Sequence, residues 1–157
     1  MKGYFQINGK QVELEFSSSA KLVDVLRDNG HTEVKKGCDE GHCGACAIIM
    51  DDKLQLSCQI LAATAVGKTI LTTKGLGDIH NPHPIHEAYV QAGAVQCGFC
   101  IPGKIMATYV LLKKYPDPTD EQIKEGLHGH LCRCTGYVKT LDAVKLAAKM
   151  MREAGNE

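Results

Sequence analysis

The chain has 157 residues, and its 18 lysine and arginine side chains are balanced by 18 aspartates and glutamates. That balance argues against nucleic acid or an anionic membrane surface as partner, and three Phe with no Trp make a poor platform for stacked bases. Eight cysteines, and no apolar run of membrane-spanning length, point to one ordinary domain or two small ones reinforced by metal.

Met1-Lys2-Gly3 leads straight into a strand-like pattern and not into a secretory leader, so the expected location is the cytoplasm. There, close-set cysteines act as ligands more often than as disulfides. Residues 3–8 and 11–16 alternate in strand fashion around Asn8-Gly9, a strong hairpin signal because a type I′ turn needs positive φ at both central residues. Ser17 to Ser19 offer an N-cap, Leu22, Val25 and Leu26 follow at helical spacing, and Gly30 is a natural stop. Residues 47–50 and 53–56 flank Asp51-Asp52 as a second hairpin, and 69–73 reads as a closing strand. A mixed sheet with one helix packed on it is expected.

Past Gly75 and Gly77 the pattern changes. Asn81-Pro82-His83-Pro84 reads as a linker, with Pro84 suited to a first helical turn. A helix over 85–91 is followed by one starting near Pro102 and carried by Ile105, Met106, Tyr109, Val110 and Leu112. Pro116-Asp117-Pro118 breaks it, Thr119-x-x-Gln122 predicts a capping box for a short third helix, and a fourth runs from about Thr140 to Glu153. Its inner side is read as Leu141, Val144, Leu146 and Ala148. The boundary falls near residues 75–82, which divides the chain into 1–76 and 82–157.

The cysteines fall into two quartets, Cys38-x4-Cys43-x2-Cys46-x11-Cys58 and Cys97-x2-Cys100-x31-Cys132-x-Cys134. Four thiolates are what one [2Fe–2S] cluster needs, and C-x4-C-x2-C is the plant-type ferredoxin spacing. Gly37, Gly41 and Gly44 interleave with the first three ligands, so the backbone can wrap closely and turn N–H groups toward sulfur. A structural zinc site remains an alternative, though it would favour two C-x2-C knuckles. Cys97-x2-Cys100 alone could be a redox pair, but the Cys132-x-Cys134 partner favours a four-ligand site. Its place at a helix start is expected to favour thiolate.

The strings Gly41-His-Cys-Gly-Ala-Cys46, Gly93-Ala-Val-Gln-Cys-Gly-Phe-Cys100 and Leu131-Cys-Arg-Cys-Thr-Gly-Tyr137 resemble the small iron–sulfur subunit of molybdenum hydroxylases. The resemblance runs from about Gly3 to Met150. It implies an α+β chain, with an N-terminal β-grasp ferredoxin-like domain and a C-terminal four-helix [2Fe–2S]-binding domain. It also implies two [2Fe–2S] clusters here, molybdopterin on a large partner subunit and FAD on a medium one. By the same resemblance the helical-domain cluster faces the pterin, with Gln96 and Cys134 placed to meet it, and the other cluster lies nearer the flavin. A Gln amide can both donate and accept toward a pterin edge. The chain departs from the pattern at Ile101, where Thr is common, and at His130, where Asn is common.

The remaining constellations are bland. His80, His83 and His86, and likewise His128 and His130, read as surface or linker histidines. Arg133 could offset cluster charge or bind a partner carboxylate, and Lys35-Lys36 reads as a solvated face. No Ser/His/Asp set, P-loop or dinucleotide fingerprint is present. The expected function is an electron-transfer subunit of a molybdenum hydroxylase, passing single electrons from molybdopterin to flavin or another acceptor. The expected substrate of the complex is a purine or another N-heterocycle. A free-standing ferredoxin-like carrier or redox sensor, and a zinc-stabilised interaction module, are the competing readings.

Overall fold

Two tight turns set the sheet. Asn8 and Gly9 have φ of 50° and 78°, Asp51 and Asp52 have 47° and 64°, the left-handed pairs that a two-residue hairpin requires. They join β1 (Lys2–Ile7) to β2 (Lys10–Glu15) and β3 (Ala47–Met50) to β4 (Lys53–Leu56). β5 (Thr69–Leu71) runs parallel to β1 and antiparallel to β3, giving the order β2-β1-β5-β3-β4. The computed structural model describes residues 1–155; positions 156 and 157 at the end of the expected second domain lie outside the described residues.

Strand alternation sends Phe5 and Ile7 inward, where Phe16 meets Phe5 edge-on at 5.6 Å. α1 (Leu22–Asp28) closes that face with Leu22, Val23 and Leu26, all fully buried. Each such side chain contributes roughly 1.5–3 kcal/mol through removal from water. The serines before α1 do not cap it. Lys21 occupies the N-cap without a side-chain bond, and Ser17 closes a turn by accepting the Ala20 N–H. The reason is tertiary: Lys21 pairs with Leu61 in an isolated β-bridge, which sets the helix N-cap two residues beyond Ser19.

A short helix absent from the sequence reading, α2 (Thr73–Leu76), follows β5. α3 (Pro84–Gln91) opens on Pro84, and its N-cap is His83, whose Nδ1 accepts the Ile85 N–H at 3.2 Å. That half-buried ring also packs edge-on against Tyr109. His83 is therefore a cap and not a free linker side chain. α4 (Ile101–Lys114) lies against β3 and β4, α5 (Asp120–Gly126) has the full Thr119/Gln122 capping box, and α6 (Val138–Ala154) packs along α3.

The buried stripe of α6 is Thr140, Ala143, Val144, Ala147 and Ala148, while Leu141 and Leu146 sit half-buried at its margins. Small residues let the two helix axes approach closely, and so the alanines take the centre expected for leucines. Tyr89 of α3 is fully buried with its hydroxyl on Thr108 at 2.8 Å. Two separate cores result, one under the sheet and one among the helices. The architecture is a ferredoxin-like β-grasp domain followed by a four-helix domain.

Candidate metal centres

The first quartet is built by a loop that cannot be helical or extended. Gly41 and Gly44 have φ of 81° and 72°, and Asp39 has 60°. These turns aim three backbone donors at one sulfur: the N–H groups of Glu40, His42 and Cys43 reach Cys38 Sγ at 3.4, 3.3 and 3.4 Å. They draw the Cys38 thiol down to about 6, with the Glu40 amide contributing most. Cys46 and Cys58 lie beneath, and burial pushes Cys46 up to about 11. Ser57, on the turn after β4, anchors Cys58 by donating its hydroxyl to the Cys46 carbonyl at 2.8 Å.

The second quartet joins the start of α4 to the α5–α6 loop. Cys97 and Cys134 are exposed and their sulfurs stand 3.6 Å apart. Cys100, the N-cap of α4, faces Cys132 inside. Burial holds Cys100 at about 11, so the expected thiolate preference of a helix start is outweighed there. Burial also acts on Cys132, but the Thr135 hydroxyl and amide, the Cys134 amide and the Cys100 thiol outweigh it and bring Cys132 to about 6. Each quartet thus holds one thiol disposed to ionise and one kept dry.

The sulfurs are grouped in twos: Cys38 with Cys43, Cys46 with Cys58, Cys97 with Cys134, and Cys100 with Cys132. Among the described residues no three His, Cys, Asp or Glu side chains converge on a single metal point. Thiolates grouped in twos would suit a group of two metal atoms with two cysteines on each, and the donor set fits [2Fe–2S].

The two loops touch. The Leu131 N–H donates to the Cys43 carbonyl at 3.0 Å, one residue before Cys132. A Cβ on Gly103 would collide with the Gly44 carbonyl oxygen, and one on Gly44 would lie 2.6 Å from His130 Nδ1. His130 is accordingly buried, not the surface histidine its Gly129 neighbour suggests, and burial lowers it to about 4. Gln96 is exposed beside Cys97, and Ile101 packs onto the helical core. His80 and His128 are exposed, as is Arg133. No helix among the described residues is long and apolar enough to cross a membrane.

Comparison with known proteins agrees with this geometry. A family model described as "2Fe-2S iron-sulfur cluster binding domain" matches residues 5–63, and one described as "[2Fe-2S] binding domain" matches 72–145. The nicotinate dehydrogenase small FeS subunit of Eubacterium barkeri is 42% identical over 144 residues, covering 91% of this chain and 92% of that one. This chain belongs to the small iron–sulfur subunits of the molybdenum hydroxylases. Such a subunit is the electron-transfer component of its oxidoreductase. The aldehyde oxidoreductase of Megalodesulfovibrio gigas is 41% identical over 92% of this chain but only 16% of its own length. The crystal structure of quinoline 2-oxidoreductase from Pseudomonas putida 86 superposes on this iron–sulfur subunit with a TM-score of 0.93, at 34% identity and over 98% of this chain and 96% of that one.

Proposed function

We propose that this iron–sulfur subunit passes electrons one at a time from molybdopterin on a large partner subunit toward FAD on a medium one, with Cys38, Cys43, Cys46 and Cys58 holding the outer [2Fe–2S] cluster and Cys97, Cys100, Cys132 and Cys134 the inner one. A [2Fe–2S] group accepts and releases single electrons, which matches a two-electron oxidation to one-electron carriers. The observation that carries the direction is the asymmetry of the second quartet. Cys97 and Cys134 face outward beside Gln96, while Cys132 connects inward through Leu131 to the Cys43 carbonyl.

Close in sequence to the outward pair are Phe99, Leu131, Tyr137 and Val138, exposed by 46, 55, 49 and 74%. Exposed apolar residues of this kind on a small subunit suit burial in a larger partner. The Megalodesulfovibrio gigas relative, in which the matching stretch is a small part of a long chain, supports the same arrangement. We assign the complex to the cytoplasm, where close-set cysteines serve as ligands more often than as disulfides. A nitrogen heterocycle is the proposed substrate class, in line with the names of the nicotinate and quinoline relatives.

Iron and acid-labile sulfide analysis with electron paramagnetic resonance of the reduced protein tests the assignment. Four irons, four sulfides and two distinct signals are expected; stoichiometric zinc, or a single signal, would refute it. Substrate is read on the purified complex by comparing purines, pyridines and aldehydes. Turnover confined to aldehydes would overturn the heterocycle assignment.

A further inference from the structure

Lys104 is 1% exposed, yet among the described residues it enters no ion pair. Its Nζ donates to Thr140 Oγ1 at 2.8 Å and lies 5.1 Å from the centre of the Tyr137 ring. Both partners are neutral. A buried ammonium is costly unless a counter-charge accompanies it, and neither a hydroxyl nor a ring face supplies one.

The second cysteine quartet is a candidate for the missing charge. Lys104 follows Cys100 by one helical turn, and its N–H donates to the Cys100 carbonyl at 3.1 Å, so the two side chains leave α4 on the same face. Its two neutral partners stand at the start of α6, directly after the loop carrying Cys132 and Cys134. The Tyr137 hydroxyl also accepts the Cys132 N–H at 3.3 Å. The lysine is thus held by the elements that hold the second quartet.

We propose that the Lys104 ammonium is the counter-charge of this four-cysteine site and raises the reduction potential of the [2Fe–2S] group bound there. This rests on the assignment of Cys97, Cys100, Cys132 and Cys134 to that group. The reason is Coulombic. Reduction adds one negative charge, and a fixed positive charge in a poorly solvated interior lowers the energy of the reduced state more than that of the oxidised one. Lys104 is a positioning and tuning residue, since it touches none of the cysteine sulfurs.

The test is a redox titration, followed by electron paramagnetic resonance, of the full chain loaded with iron and sulfide. Lys104→Met should lower the equilibrium constant for reduction of the inner group at least tenfold, about 59 mV for a one-electron couple. The outer group should shift by less than half as much. Lys104→Arg should stay within threefold of the parent, because it keeps the charge. Equal shifts for Met and Arg, or no shift for Met, would overturn the proposal. If the Met variant fails to load, Lys104→Gln, which can still bond Thr140, gives the same comparison. Lys104 also lines a cavity of about 410 Å³ with Lys124, His128 and Tyr137. Should added inorganic phosphate shift the parent potential while the Met variant does not respond, a small anion and not the cluster is the counter-charge, and the proposal fails. A parent chain carrying only two irons would sink the ligand assignment itself, separately from the role of Lys104.

Discussion

Single residues do different work in sites that look alike in composition. Cys43 sits in the loop that directs three N–H groups at Cys38, while Cys132 bonds Thr135 and pairs with Cys100. Cys43→Ser and Cys132→Ser should each abolish a different resonance signal of the reduced protein; loss of the same signal in both would contradict two independent sites. Gln96 is exposed and adjacent to the outward pair, so Gln96→Ala should leave both groups assembled. If the Gln96 amide meets the pterin, as the family resemblance implies, its loss should cost on the order of 1 kcal/mol, about fivefold, or more where the pterin edge is left unpaired. Stopped-flow reduction of the inner group in the complex reads this, and unchanged kinetics with unchanged cofactor retention would reduce Gln96 to a loop residue. The three motif strings contain Cys43, Gln96 and Cys132, while Cys38 lies three residues ahead of the first string. His130 was misjudged, because nothing in its local sequence reveals that Gly44 leaves room for its ring.

At the scale of elements, two junctions decide stability. The start of α4 meets the first cysteine loop at Gly103 and Gly44, where there is no space for a methyl group. Gly103→Ala should therefore destabilise by roughly 1–3 kcal/mol as an overpacked contact and slow electron exchange between the two groups. Denaturant unfolding and inter-cluster kinetics check this together; a fully stable variant with normal exchange would show that the junction is looser than its geometry. The second junction fastens the end of β5. Asn8 accepts the Thr72 N–H at 2.8 Å and donates to its hydroxyl, which in turn donates to Glu33 at 2.7 Å, with Lys74 3.4 Å from the other oxygen. Burial raises the Glu33 carboxyl, but the Thr72 bond, its own backbone amide, His31 and Lys74 together bring it below its ordinary value. A carboxyl lowered in the folded state stabilises the fold fully above the unfolded value of about 4.3. That contribution is lost as pH falls through the lower folded value. Glu33→Gln should thus destabilise at pH 7, and its unfolding midpoint should begin to converge on that of the parent below about pH 4.3 and meet it below the folded value. A difference that persisted in acid would assign the effect to packing.

The whole molecule is two small cores tied by a few tight contacts, with apolar residues left facing water close in sequence to the outward cysteine pair. On that account the subunit should be recovered from its own cells with a large molybdopterin-containing partner, and size-exclusion chromatography of the native preparation checks it. A free monomer carrying both groups as the sole form would favour an independent ferredoxin-like carrier.

Local chemistry is what the sequence determined by itself. Asn8-Gly9, the Thr119/Gln122 capping box, Pro84 at a helix start and the cysteine spacings are short-range features, and each fixes a turn, a cap or a ligand loop through neighbours in the chain. Tertiary structure decided what depends on distant partners. The alanine stripe of α6 is inner because α3 needs close approach, and Lys21 displaces the serine cap because it bridges to Leu61. Burial, and not the helix start, sets Cys100, and Lys104 meets Thr140 of α6, 36 residues away, only in the folded chain. Solvation and packing are sums over groups far apart in sequence, and so the pairing of sulfurs and the buried ammonium are settled only when each half folds, and the junction of the loops only when the two halves meet.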